Sequence, residues 1–142
     1  MRILIDTNIV LDVLLRREPW ASEARAVWRA SDEGLITGYI LASVLTDILY
    51  IAHKQVGLEA ARSAIHTCLD AFEICAVDRR TLEQANTLPG NDFEDNLQIA
   101  GAQIAELDGI VTRNKADFSS ATIPVFTPTE LMAQLDSANR QP

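Results

Sequence analysis

Residues 1–15 read MRILIDTNIVLDVLL. Ile3, Leu4 and Ile5 are branched apolar residues in a row, the composition of a strand buried on both faces. The run stops at Asp6, and apolar residues then recur at helical spacing. The stretch therefore reads as a strand, Arg2–Ile5, that hands over to a helix, Asn8–Leu15, with a carboxylate at the junction. Asp6, Thr7 and Asn8 can each accept a hydrogen bond from the free N–H groups of a helix start. Capping accounts for part of the pattern. Whether Asp6 does more depends on whether other acids reach the same place.

Working outward, strands and helices alternate. Pro19 suits the first turn of a helix that runs to about Glu33, before Gly34. Residues 35–40 read as a short strand. Two amphipathic helices, 41–55 and 58–71, are separated by Gly57, and 72–77 read as a strand. Asp78 caps a helix to about Leu88, where Pro89-Gly90 breaks the chain. A helix over 93–107 is ended by Gly109, and short strands follow at 110–112 and 123–126. Thr127-Pro128 opens a last helix, with a tail fraying from about Ser137. This alternation predicts an α/β fold, a three-layer α/β/α sandwich with a mainly parallel central sheet, as one domain over residues 1–136. Ligands of such sheets sit beyond the carboxyl ends of the strands. Asp6 falls at such an end.

With 142 residues and 48% apolar content, the chain is long enough to bury a proper core. No apolar run reaches the length that spans a bilayer. The start lacks the pattern of a secretory signal. Cys68 and Cys75 show no metal-ligand spacing and read as free thiols of a cytoplasmic protein. His53 and His66 are isolated and read as ordinary helix residues. The net charge of −8 argues against a broad basic surface for nucleic acid. It leaves room for binding through metal ions and a few local cations.

Three further stretches offer acids that could meet Asp6. In LASVLTDILYIAHK, residues 41–54, the apolar stripe is Leu41, Val44, Leu45, Ile48 and Ala52. Asp47 lies at its edge with Ser43, Tyr50 and Lys54, either as a solvated flank residue or as a site residue. In PGNDFEDNLQIAGAQIAEL, residues 89–107, the stripe is Leu97, Ala100, Ile104 and Leu107. Asp92, Asp95, Asn96 and Ile99 share the adjoining arc, and Glu94 is expected to point elsewhere. Acids in a first turn complement the helix dipole by about 0.3–1 kcal/mol each. Three in four residues exceed that need. In GIVTRNKADF, residues 109–118, Asp117 follows a strand end, where an Asp is also common in plain turns. Singly these signals are weak. Together they place carboxylates on one rim, where crowding raises their pKa values unless a cation neutralises them. An all-oxygen set suits Mg²⁺ or Mn²⁺, ions that activate water and screen phosphodiester charge.

Carried by ILIDTNIVLD, TDILYIA, DFEDNLQIAGA and IVTRNKADF, the chain resembles the PIN-domain nuclease superfamily over nearly its whole length, and within it the VapC-like bacterial proteins. The resemblance implies a Mg²⁺- or Mn²⁺-dependent endoribonuclease that leaves a 5′-phosphate and a 3′-hydroxyl. It also implies RNA as substrate, an antitoxin protein as partner, and a homodimer. Position by position, Asp6, Asp47, Asp95 and Asp117 match the catalytic acids, although Glu is commoner at the place of Asp47. Asp92 would support Asp95 as a further metal ligand. Thr7, Asn8 and Thr112 would orient carboxylates or water, and Asn114 stands where many relatives have an acid.

Arg113 and Lys115 flank the last motif and are candidates to hold RNA phosphates, followed by Arg16, Arg17, Arg79 and Arg80. Trp20 and Trp28 read as core, with a partner groove as the alternative. Two competing functions fit less well. An aspartyl-phosphate receiver would carry an acid pair at the first strand and a late-strand Lys, against the D-T-N seen here. A catalytically weak or silent PIN-like module, acting through protein or RNA binding, is the alternative: the four matching acids argue against it, while Asp47 in place of Glu and Asn114 in place of an acid argue for it.

Overall fold

The computed structural model describes residues 1–140. β1 (Arg2–Ile5), β2 (Thr37–Leu41), β3 (Glu73–Cys75), β4 (Gly109–Val111) and β5 (Val125–Phe126) form one sheet in the order β3-β2-β1-β4-β5. Every pairing is parallel. Among the described residues seven helices cover it in a three-layer α/β/α arrangement: α1 (Thr7–Leu14), α2 (Ala21–Asp32), α3 (Val44–Val56), α4 (Leu58–Ala71), α5 (Arg79–Ala85), α6 (Phe93–Ile104) and α7 (Pro128–Asn139). A 3-10 turn, Lys115–Phe118, follows β4. No helix among the described residues is long and apolar enough to cross a membrane.

The core is the set of residues expected from the apolar runs. Ile3, Leu4 and Ile5 are at most 1% exposed and sit in the central strand. Val44, Ile48 and Ala52 form the buried stripe of α3. α6 is buried more completely than a one-stripe helix, since every residue from Asn96 to Ala102 is buried. Two polar side chains, Asn96 and Gln98, therefore lie inside. Asn96 donates to the Gly90 carbonyl at 2.9 Å.

Element ends shift where long-range pairing decides them. β2 begins at Thr37, whose N–H bonds to the Met1 carbonyl. Leu41 completes β2 instead of opening α3, because Ala42 N–H bonds to the Cys75 carbonyl next to it. β4 stops at Val111, while the Thr112 N–H continues toward β5 through the Phe126 carbonyl. Asp78 and Thr127 cap α5 and α7 with reciprocal capping boxes. α7 runs to Asn139, past the point where fraying is expected; the end of that tail, 141–142, lies outside the described residues.

This strand order fixes where a site can form. From β1 the chain winds outward to β2 and β3, then returns to the other side of β1 with β4 and β5. The order reverses between β1 and β4, and a crevice opens at the carboxyl ends of those two strands. Ile5 pairs with Val111 there. The next residue on each strand is Asp6 and Thr112.

Candidate functional site

Asp6 is 4% exposed. Its N–H bonds to the Val111 carbonyl at 3.0 Å, so the backbone is locked to β4. α1 starts at the next residue, but the Asp6 carboxylate makes no capping bond. Both of its oxygens are engaged elsewhere. Oδ1 accepts from Gln98 Nε2 at 3.0 Å, and Oδ2 accepts from Thr112 Oγ1 at 2.9 Å. Thr112 Oγ1 in turn accepts from the Asn114 N–H at 3.1 Å. Burial raises the Asp6 pKa, and the bonds from Gln98 and Thr112 offset only part of that. Two buried atoms nearby, Thr7 Oγ1 and Gln98 Oε1, have no hydrogen-bond partner among the described residues.

A cleft of about 420 Å³ opens over Asp6. It is lined by Asp47 from α3, Asp92 and Asp95 at the start of α6, and Asp117 from the 3-10 turn, with Thr7, Asn8 and Tyr50. Phe118, 2% exposed, anchors that turn and leaves Asp117 at the surface. Asp92 is the cap of α6, accepting from Asp95 N–H at 3.1 Å. The five acids expected from the sequence therefore meet in one place.

One expectation fails. Glu94 does not point away; it lines the same cleft and faces Asp47. A hydrogen bond to the Asp47 carboxylate, reinforced by burial and by the charges of Asp92 and Asp95, pushes Glu94 up to about 8. Asp95 is pushed up to about 7 by burial first, then by Asp92, Asp6 and Asp117. Near neutrality the cluster thus holds protons that isolated carboxyls would have lost.

The cations beside the last motif are tied down. Asp12, fully buried in α1, accepts from Arg17 Nε and Arg113 Nε, each at 2.9 Å. The Arg113 guanidinium lies 3.9 Å from the centre of the Trp20 ring, so it is held between a carboxylate and an indole. Lys115 pairs with Glu130 at 3.1 Å. Arg113 thus anchors the turn that begins at Thr112, and its charge also lowers the Asp6 pKa. Trp20 is 40% exposed and is not core. Trp28 does pack inward, edge-on to Phe72 at 4.6 Å. Asn114 is exposed.

Sequence reasoning missed Gln98 and Asp12. Gln98 lies three residues after Asp95 and so shares its helix face. Asp12 interrupts an apolar helix and is followed by two arginines. Both signals were present, but Asp6 for Gln98 and Arg113 for Asp12 lie far along the chain.

The donor chemistry fits a hard divalent cation. All candidate ligands are oxygens, two carboxyls keep protons that a cation would displace, and Thr7 Oγ1 is buried without a partner. Among the described residues no three acids yet close into a shell tight enough to enclose an ion. Loss of the Glu94 proton would free that carboxylate as a further donor beside Asp47.

A sequence model of the PIN domain matches residues 2–116. No curated protein sequence matches the chain significantly. Among solved structures, the fold is similar to DNA-bound VapBC from Salmonella typhimurium, with a TM-score of 0.69 and 16% identity. That match covers 90% of this chain and 98% of the other. A toxin-antitoxin complex from Klebsiella pneumoniae matches with a TM-score of 0.64 and 25% identity, covering 89% and 97%. The Sarcin-Ricin loop cleaving toxin VapC20 of Mycobacterium tuberculosis matches with a TM-score of 0.62 and 15% identity, covering 76% and 86%.

Two outcomes follow from this geometry. Asp95 and Glu94 bind protons more tightly in the folded chain than in the unfolded one, where such groups titrate near 4. Their stabilising contribution is complete below that pH and is lost as pH rises through about 7 and 8. Asp78 and Glu130, whose pKa values are lowered, act oppositely but only under more acid conditions. In EDTA the melting temperature should therefore fall between about pH 5 and 8, and Asp95→Asn should flatten the fall. A flat or rising wild-type profile over that window would contradict the crowding. Separately, Asp12→Asn should cost on the order of 3 kcal/mol in urea denaturation, the scale for breaking a buried ion pair from one side. A loss no larger than that of an exposed ion pair would mean that Arg17 and Arg113 do not depend on it.

Proposed function

Because the chain belongs to the PIN-domain family, we propose that it is a divalent-metal-dependent endoribonuclease, acting as the toxin of a toxin–antitoxin pair in the cytoplasm. The observation that carries this reading is the convergence of Asp6, Asp47, Asp92, Glu94, Asp95 and Asp117 on one cleft at the β1/β4 crevice. The similarity to toxin–antitoxin complexes and to an RNA-cleaving toxin supports it.

These acids would hold Mg²⁺ or Mn²⁺, and an ion there supplies the screening of phosphodiester charge and the activation of water that the reaction needs. The remaining work falls to the protein. Gln98 and Thr112 fix both oxygens of Asp6, so this carboxylate needs no reorientation when substrate arrives. Thr112 also orders the backbone at Asn114 and so the turn that carries Asp117. Asp95 and Glu94 exchange protons near neutral pH and can take up or release one as the site fills. Glu94 reaches toward Asp47 and offers the longer carboxylate that position 47 itself lacks. The products would be a 5′-phosphate and a 3′-hydroxyl. An antitoxin or a second copy of the chain belongs to the same reading. The exposed apolar side chains Val56, Leu58 and Leu69 on α3 and α4 support such a contact.

Purified protein should cleave RNA in Mn²⁺ and lose that activity in EDTA. Asp6→Asn and Asp95→Asn should each reduce cleavage to background while remaining folded. Wild-type rates in either variant would remove the mechanism, and a folded but inactive wild-type protein would favour a binding module.

A further inference from the structure

RNA crossing an acidic rim needs a cation for its phosphates and a surface for its bases. The two basic residues of the last motif are already engaged, Arg113 by Asp12 and Trp20, and Lys115 by Glu130. Another aromatic stands at the cleft, and another cation lies against its ring. Tyr50 lines the cleft, one helical turn after Asp47, and at 62% it is the most exposed large apolar side chain of the molecule among the described residues. The Lys54 ammonium lies 4.3 Å from the centre of its ring. Lys54 makes no ion pair among the described residues, although the chain carries 20 acids against 12 Lys and Arg.

We propose that Tyr50 and Lys54 form a nucleotide subsite beside the scissile phosphate, in which an unpaired base stacks on the Tyr50 ring and Lys54 meets the adjoining phosphate. The inference rests on the nuclease reading above and adds the residues that seat the substrate. A nucleotide presents a π face and an anion together, and the pair presents their complements, an exposed ring and an ammonium that no carboxylate holds among the described residues. A protein partner reaching the acids would bring a cation instead, and Lys54 would repel it. Stacking requires that the ring be free, and Tyr50 sits on the solvent side of α3, where its loss removes little packing. Lys54 is one helical turn further on and can leave the ring for a phosphate without disturbing the helix.

The test is steady-state cleavage in Mn²⁺ of a labelled single-stranded ribo-oligonucleotide and of a series with one abasic position on either side of the cut. Tyr50→Ala should melt like wild type and raise KM about tenfold, within the range for losing one base–aromatic stack, with kcat within about twofold. Tyr50→Phe should behave as wild type. One abasic position should raise the wild-type KM by a similar factor and have no further effect in Tyr50→Ala. Lys54→Met should make log KM less steep in log salt by about 0.7, the share of one phosphate contact on a single strand. A wild-type protein that cleaves no RNA overturns the nuclease reading and this subsite with it. Cleavage with an unchanged KM in Tyr50→Ala, or an abasic penalty that persists there, overturns the subsite alone and leaves Tyr50 to a protein partner.

Discussion

The carboxylate of Asp6 sits where a free carboxylate is least comfortable, nearly enclosed at the end of the central strand. Its tolerance there depends on two neutral donors, Gln98 from α6 and Thr112 from the end of β4. Those donors are available only because the strand order places β4 against β1 and α6 brings Gln98 within 3.0 Å of Asp6. The same arrangement carries the other acids. Asp95 and Glu94 share a helix with Gln98, and Asp117 is a few residues past Thr112. Holding Asp6 therefore brings the remaining carboxylates to it. The cost is electrostatic: burial and mutual repulsion leave Asp95 and Glu94 protonated near neutrality. An arrangement that stores protons this way is one that a divalent cation would relieve.

Arg113, Arg17 and Lys54 play two different roles. Arg113 and Arg17 serve the architecture, neutralising the one acid that is fully buried, Asp12, and binding α1 to the turn after β4. That pair sits next to the acid cluster and keeps the Thr112–Asp117 segment in register with Asp6. Lys54, by contrast, has an aromatic ring for company and no carboxylate. In a chain of net charge −8, the distinction decides which cations remain open to an anionic substrate.

The sequence made the fold and most of the cleft readable, for local reasons. Ile3–Ile5 reads as a buried strand and is one, α4 has the bounds that its periodicity suggests, and Asp78, Asp92 and Thr127 cap the helices they precede. Asp6, Asp47, Asp92, Asp95 and Asp117 could be gathered on one rim because each sits at a strand end, a helix start or a helix edge. What stayed hidden depends on partners distant in the chain. Glu94 turns toward Asp47 because α3 brings that side chain to the same cleft. Arg113 looks like a free cation until Asp12 and Trp20 are seen beside it. Gln98 looks like a surface glutamine until α6 proves to be buried on nearly every side. Helical spacing says which residues share a face; it does not say what faces them.

Proton release on metal binding tests the central claim most directly, that the acids around Asp6 are crowded in order to hold a divalent ion. Titration of Mn²⁺ into the protein by calorimetry at pH 6.5, in two buffers of different ionisation enthalpy, gives the number of protons displaced per ion bound. The account predicts saturable binding with net proton release, reduced in Asp95→Asn and in Glu94→Gln. Binding without proton release, or release unchanged in both variants, would contradict it.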